Sequence, residues 1–378
     1  MAERKSKIRV CFIAPKAYPL FNPAITTVFG GAEVDLYLLA TELARDANFA
    51  VSFITADYGQ AAVENYGGVQ VLKSLDFRGN ALAGAWRVWQ ALRRADADVY
   101  LLETASWGVV LALLFCKRYR RRMVYRTAAA GEANGNYRRR HPWLGVAFDW
   151  VLRRADIVLA QNEEDRENLE RRLGLEALVI PNGHVIPAEV ERRRETILWV
   201  GRSDPIKRPK EFIDLAQKFP KERFTMICQR ATGDDDYEEL KATAGKVKNL
   251  EFIARVPFAE VEFYFQQAKV LVNTSWTEGF PNTFVQAAKC GAAILSLAVN
   301  PDGFLEKYDC GRACGGDFDR LISSLGELIT ENRFSKYGEN GRKYAAERHD
   351  IINIVEEYKF FFRKLRAHNK RREKEKIV

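Results

Sequence analysis

At 378 residues the chain exceeds what one ordinary core accommodates, since domains hold about 100–200 residues, so two packed units are expected. With 47% hydrophobic residues, 29% charged residues and only 12 prolines, the composition excludes collagen-like, mucin-like and wholly disordered chains. The longest uncharged apolar stretch, residues 107–116, falls short of the roughly 20 residues of a membrane-spanning helix. The charged amino terminus carries no apolar signal-peptide core, and a cytoplasmic protein is expected. Cys11, Cys116, Cys228, Cys290, Cys310 and Cys314 sit singly in apolar segments, which favours buried thiols over disulfides or a metal knot. The net charge of +9 is gathered in clusters at residues 117–122, 138–140, 153–154 and 363–376. Such clusters attract phosphate groups, whether of nucleic acid, anionic lipid or small molecules, and charge alone does not choose among them.

Residues 8–14 form a β-branched and aromatic run that reads as a strand, followed by Gly30-Gly31 and a helix-compatible stretch at 32–45. Strands are expected at 50–55, 69–72, 98–102, 123–126, 156–160 and 177–180, the last closed by Pro181-Asn182-Gly183. Helices are expected at 81–94, 107–116, 143–153 and 163–173. This alternation predicts a parallel sheet with crossover helices, because parallel strands are joined only by long right-handed connections. After a charged stretch at 187–195, read as a connector, a second series begins. It places strands at 196–200, 223–228, 249–253, 270–273 and 292–296, and helices between them, one at 209–219. Two Rossmann-like halves are therefore expected. Apolar residues at helical spacing over 351–365 predict a docked amphipathic helix, with a charged, frayed tail beyond it. The domain reading is 1–186 joined by 351–366, then 196–350, then a tail at 367–378.

Chemistry concentrates at three places. Gly30-Gly31 precedes a helix, where missing Cβ atoms admit close backbone approach and free amides favour an anion; taken without its context, the pair fits a flexible turn better. Gly201-Arg202, with Lys207 five residues on, sits just past a strand in the second half, and arginine forks onto phosphate while lysine acts as a point charge. The loop after the 270–273 strand carries Glu278 between a strand and a helix. Its carboxylate can accept two sugar hydroxyls, and amides near Phe280, Asn282 and Thr283 can receive phosphate or sugar oxygens.

In their order and spacing, Gly30-Gly31-Ala32-Glu33, Pro181-Asn182-Gly183, Gly201-Arg202 with Lys207, and Glu278-Gly279-Phe280-Pro281 with Cys290-Gly291 resemble the family-4 glycosyltransferases of GT-B fold. The likeness runs from about residue 8 to residue 362. It implies an α/β GT-B chain with two Rossmann-like domains facing a central cleft and a C-terminal helix docking back towards the N-terminal domain. It further implies metal-independent, retaining transfer of a hexose-type sugar from a nucleotide-sugar donor, UDP- or GDP-linked, to a glycan or lipid-linked acceptor held by the first domain. No cofactor is expected, the nucleotide sugar being a substrate. By the same resemblance Arg202 and Lys207 hold the donor diphosphate and Glu278 holds hydroxyls of the transferred sugar. Gly30, Gly31, Gly201, Gly279, Phe280, Pro281, Asn282, Thr283 and Gln286 complete the donor site, and Glu103 and Glu132 lie on the acceptor side. A surface role for Glu103 fits its strand-end position as well.

Two departures stand out. Gln286 occupies a position where the family usually has a second Glu; its amide can bond a ribose hydroxyl but carries no charge. After the strand at 123–126, Ala128-Ala129-Ala130-Gly131-Glu132 replaces the His or Asp that relatives present to the sugar, so either Glu132 substitutes or the role is absent. The expected mechanism is front-face substitution, in which leaving phosphate takes the acceptor proton and protein cations stabilise its charge. Asp234-Asp235-Asp236 reads as a helix start rather than a metal motif. His184 reads as a hinge or backbone-bonding residue or as a cleft residue. Trp86 and Trp89, with Leu82 and Leu92, read as core. The basic clusters of the first domain are expected to rest on an anionic membrane surface. Gln286 and the alanine run also fit a non-catalytic member of the fold that binds nucleotide sugar or glycan. The basic clusters fit a nucleic-acid-binding protein, which leaves the Glu278 loop unexplained, so no nucleic acid is expected.

Overall fold

The computed structural model describes residues 7–190 and 194–374, and side chains up to residue 367. The chain divides into two compact units, one of residues up to Gly183 together with those from Ile351 onward, the other His184–Asp350. The first unit contains strands β1 (Ile8–Ile13), β2 (Phe49–Thr55), β3 (Val63–Tyr66), β4 (Val69–Lys73), β5 (Val99–Glu103), β6 (Arg122–Arg126), β7 (Ile157–Ala160) and β8 (Leu178–Val179). They lie in the order β3-β4-β2-β1-β5-β6-β7-β8. All neighbours are parallel except the β3–β4 hairpin. The second unit contains β9 (Thr196–Arg202), β10 (Arg223–Gln229), β11 (Leu250–Ile253), β12 (Ala268–Asn273), β13 (Ala293–Ser296) and β14 (Gly311–Ala313). Its order is β11-β10-β9-β12-β13-β14, all parallel.

Parallel strands carry helices on both faces, so their residues are buried without alternation. β5 is buried along its whole length, as is β13. In both sheets the strand order reverses beside the first strand, between β1 and β5 and between β9 and β12. Loops leaving such a pair in opposite directions open a crevice at the carboxyl ends, where this class of sheet places its ligands.

The structure departs from the sequence reading at definable points. The β3 hairpin escapes periodicity because its Val-Glu-Asn-Tyr run is half exposed, and Gly67 and Gly68 turn it with φ of 57° and 90°. Gly201 and Arg202 lie inside β9, paired with Cys228 and Gln229, rather than past its end. The division between units falls at Gly183, ahead of the 187–195 stretch read as a connector. Arg194 is already held in the second unit, donating to the carbonyls of Gln266 at 2.7 Å and Ala268 at 3.3 Å. The final helix runs Ile351–Lys374, beyond the expected end, and its Ile351, Ile354, Val355, Tyr358, Phe362 and Leu365 are buried as the spacing implied.

Trp86 and Leu82 were read as core but are exposed. The buried side of helix Ala81–Ala95 is set by Val88, Ala91 and Leu92, and of the two tryptophans Trp89 reaches the core edge, against Phe115. All six cysteines are free and buried.

Candidate functional site

The site is built where β9 and β12 separate. Trp199 on β9 lies over Gly201, whose absent Cβ would stand 2.7 Å from the indole. That indole Nε1 donates to Thr274 Oγ1 at 2.9 Å, and the hydroxyl donates onward to the Lys207 carbonyl at 2.6 Å. The Trp276 amide donates to the Ile206 carbonyl at 2.9 Å. Two loops that leave different strands are thereby fastened together through their backbones. Between them the chain makes a 3-10 turn, Pro205–Lys207, whose start is held by the Asp204 carboxylate accepting from the Ile206 amide at 3.1 Å. Arg208 then takes a left-handed φ of 48°, binds Glu211 at 2.6 Å and lies over the Trp276 ring at 5.3 Å.

This scaffold brings Lys207 Nζ to 2.6 Å from Glu278 Oε2, with side chains 22% and 14% exposed. Asn273 Nδ2 donates to the other carboxylate oxygen at 3.1 Å, and its own Oδ1 accepts from the Ser275 amide at 3.0 Å. Burial alone pushes the Glu278 carboxyl up. The Lys207 charge and hydrogen bonds from Lys207, Ser275 and Asn273 outweigh it, and hold the group below the usual carboxylate range. Arg202 ends β9 with a 40% exposed side chain, 4.0 Å from Asp204. An ionised carboxylate, a lysine committed to it and a forked cation beside them can receive sugar hydroxyls and phosphate oxygens.

Phe280 is buried and stacks near Phe304 and His349, with ring centroids 5.2 and 5.0 Å apart. Pro281 precedes helix Asn282–Cys290, on which Phe284, Val285, Ala287 and Ala288 are buried while Asn282, Thr283 and Gln286 remain partly exposed. The donor-site candidates on this helix therefore share its accessible side, at i, i+1 and i+4. His184 Nε2 hydrogen-bonds Asn282 Oδ1 at 2.8 Å, and the His184 amide donates to the His349 carbonyl at 2.7 Å. Its imidazole is fully buried and pushed down to about 3 by burial, by Lys289 and by His349. The backbone-bonding reading of His184 fits this geometry. Asp234 accepts from Ser203 Oγ and from the Asp236 amide, so the acidic run fixes the entry to helix Tyr237–Ala244.

In the first unit Gly31 opens helix Gly31–Leu43, and the Gly30 amide donates to Glu33 at 2.8 Å. Glu103 and Glu132, read as acceptor-side residues, are both buried and engaged within the unit. Glu132 accepts from the amides of Ala105 at 2.9 Å and Ala128 at 3.0 Å, and from the Tyr125 hydroxyl at 2.9 Å. Glu103 lies 2.6 Å from Arg126, which also meets Asp35 at 3.2 Å and Asn182. Burial pushes Glu103 up, the Arg126 charge pulls it down and Asp35 pushes it up again, the net direction being upward. Both oxygens of Glu132 are occupied by these contacts, whereas Glu103 keeps one buried carboxylate oxygen without a hydrogen-bond partner.

Sequence reasoning missed the fastening residues Trp199 and Thr274. The signal was present: an aromatic two residues before a glycine at a strand end marks a side chain folded over the backbone.

Two sheets in this strand order, parallel but for the β3–β4 hairpin and each carried by its own unit, define a GT-B fold. The profile described as Glycosyltransferase Family 4 matches residues 29–185, and that described as Glycosyl transferases group 1 matches residues 194–331. The chain belongs to the family-4 glycosyltransferases, and it is an enzyme of glycosyl transfer. Among solved structures it is similar to sucrose-phosphate synthase from Thermosynechococcus elongatus, with 16% identity and a TM-score of 0.77 over 96% of this chain and 100% of that one. It is also similar to Anabaena HepE in complex with UDP, with 18% identity and a TM-score of 0.71 over 94% and 100%. A third similar structure is trehalose-6-phosphate from E. coli bound with UDP-2-fluoro glucose, at 12% identity and a TM-score of 0.67 over 94% and 98%. A comparison with curated protein sequences returns no match.

Proposed function

We propose that this chain transfers a hexose-type sugar, with retention, from a UDP- or GDP-sugar to a glycan or lipid-linked acceptor, working against a membrane surface. The observation that carries the reading is the Lys207–Glu278 contact at the switch point between β9 and β12. Solved neighbours bound to UDP and to UDP-glucose support a nucleotide-sugar donor.

In this reading Arg202 forks onto the diphosphate and Lys207 bridges it to Glu278, whose two oxygens receive sugar hydroxyls. Charge grows on the leaving phosphate as the glycosidic bond breaks, and the two cations neutralise it there. No side chain here is placed as a nucleophile. The acceptor oxygen attacks from the face the diphosphate leaves, its proton passing to a phosphate oxygen, so configuration is kept. Gln286 offers a neutral amide to the ribose.

A thermal-shift screen of the purified chain against UDP, GDP, ADP and their sugars tests the reading. A ligand at one hundred times its Kd stabilises the native state by about 2.7 kcal/mol. A rise with UDP or GDP compounds is expected, and the absence of a rise with any of them refutes a nucleotide-sugar donor.

A further inference from the structure

On helix Pro142–Leu152 of the first unit, Trp143, Val146 and Trp150 recur at i, i+3 and i+7 and so share one face. They are 87%, 52% and 37% exposed, and Leu114, on helix Trp107–Arg118, is 48% exposed. Two tryptophans and two aliphatic side chains left in water call for a partner. A cavity of about 730 Å³ lies beside Trp150 and Val146, lined also by Lys117, Arg138, Arg153 and Arg154, with Asp149 as its single carboxylate. Asp149 is buried and already matched, by Arg138 at 3.1 Å and Arg172 at 2.6 Å. The mouth of the cavity is therefore cationic, and the Arg154 guanidinium stands 5.4 Å from the Trp150 ring centre.

We propose that this face is the surface by which the protein docks on an anionic phospholipid bilayer, with a lipid phosphate held among Lys117, Arg138, Arg153 and Arg154. Indole rings favour the headgroup level of a bilayer, where an apolar body and an N–H are both accommodated. Lysine and arginine around them meet anionic headgroups, while Val146 and Leu114 enter the acyl boundary. The charge pattern disfavours a second copy of the chain, because a two-fold contact would bring this basic rim against itself. The two indoles would stack on bases as readily, but Val146 and Leu114, 52% and 48% exposed, find no apolar partner along a nucleic-acid strand, and a bilayer supplies one.

The inference rests on the membrane part of the proposed function, and not on its transfer chemistry. Its test is co-sedimentation of the full chain with phosphatidylcholine vesicles, with and without phosphatidylglycerol, at low and high salt. Binding that requires phosphatidylglycerol and fades with salt is expected. Arg153→Ser and Arg154→Ser should each weaken it about fivefold, as expected for one cation near an anionic surface, and Trp143→Ser should weaken it and reduce the blue shift of tryptophan emission, leaving the share due to Trp150. Vesicle binding unchanged in all three variants would leave membrane association standing and remove this face from it. No binding of the wild type to anionic vesicles would remove both, with the donor screen unaffected. Two further outcomes would overturn the proposal: a wild-type dimer in sedimentation velocity that Trp143→Ser dissociates, or tighter binding to a single-stranded oligonucleotide than to the vesicles.

Discussion

Replacing Lys207 by Met removes one half of the central contact while keeping most of its apolar stem. The lost interaction is a charged hydrogen bond of 2.6 Å between side chains less than a quarter exposed. Hydrogen bonds to charged groups contribute about 1.5–3 kcal/mol, and limited solvent access here leaves little screening to discount. Glu278 would retain only neutral partners, Asn273 and Ser275, so burial would lift its carboxyl from below the usual range towards or above it. The sign follows. In the wild type the stability from this lowered group is present above the unfolded carboxylate value and is lost as pH falls through the lowered one; in Lys207→Met that contribution is absent, and with the carboxyl lifted above the unfolded value the sign reverses, stability falling as pH rises through the unfolded value. A double-mutant cycle of Lys207→Met and Glu278→Gln, read by thermal melts near neutral pH, should return a coupling of about 1.5–3 kcal/mol. With the donor chosen by the thermal-shift screen, each single variant should lose about 10²–10³ in kcat/KM. The double variant should lose far less than the product of the two, because the pair acts as one unit. Coupling below about 0.5 kcal/mol, with turnover near wild type in both singles, would refute the site.

Two other substitutions separate structure from function. Arg126→Met should cost about 3–5 kcal/mol in thermal stability by stranding buried Glu103, whereas Arg202→Ala, at a 40% exposed side chain, should leave the melting temperature unchanged while removing most turnover. His184, pushed down to about 3, is neutral in the folded chain, so stability should fall by roughly 1.4 kcal/mol per pH unit as pH drops from about 6.5 towards that value. Acid titration of the melting temperature should show this slope in the wild type and a flatter one in His184→Gln.

Much of this was legible in the sequence, for reasons that particular residues show. The strand-helix alternation was plain because parallel strands such as β5 and β13 are short unbroken apolar runs bounded by turns. β3 was not, since its half-exposed Val-Glu-Asn-Tyr leaves no such run, whereas its mostly buried hairpin partner β4 was expected at 69–72. Arg202, Lys207 and Glu278 stand out by residue type and spacing, and the structure brings Lys207 and Glu278 into contact within one unit. The burial of Glu103 was not legible, because a strand-end carboxylate looks the same in sequence whether it faces a ligand or an arginine. Only the fold brings Arg126 onto Glu103, 23 residues away, and Asp35, 91 residues away. Trp86 and Leu82 failed for a related cause: helical spacing groups residues on a face but does not say which face is inward.

The proposed function assigns donor chemistry to the second unit, and the two switch points supply a physical reason for that assignment. In the first, Arg126 from β6, Glu103 from β5 and Asp35 from the helix after β1 meet at the carboxyl ends of the central strands, with side chains 5% exposed or less. Tyr358 of the terminal helix lies near enough to feel the Arg126 charge. One cation there serves two carboxylates and has no charge left for an anion. In the second, one carboxylate faces Lys207, and Arg202 keeps a 40% exposed side chain only loosely associated with Asp204 at 4.0 Å. A diphosphate needs cations that are accessible and incompletely neutralised, and desolvating such a cation costs less than opening a sealed ion cluster. The same topology thus yields a closed structural core in one unit and an anion-receptive pair in the other, and the difference lies in the ratio of acid to base at equivalent strand ends.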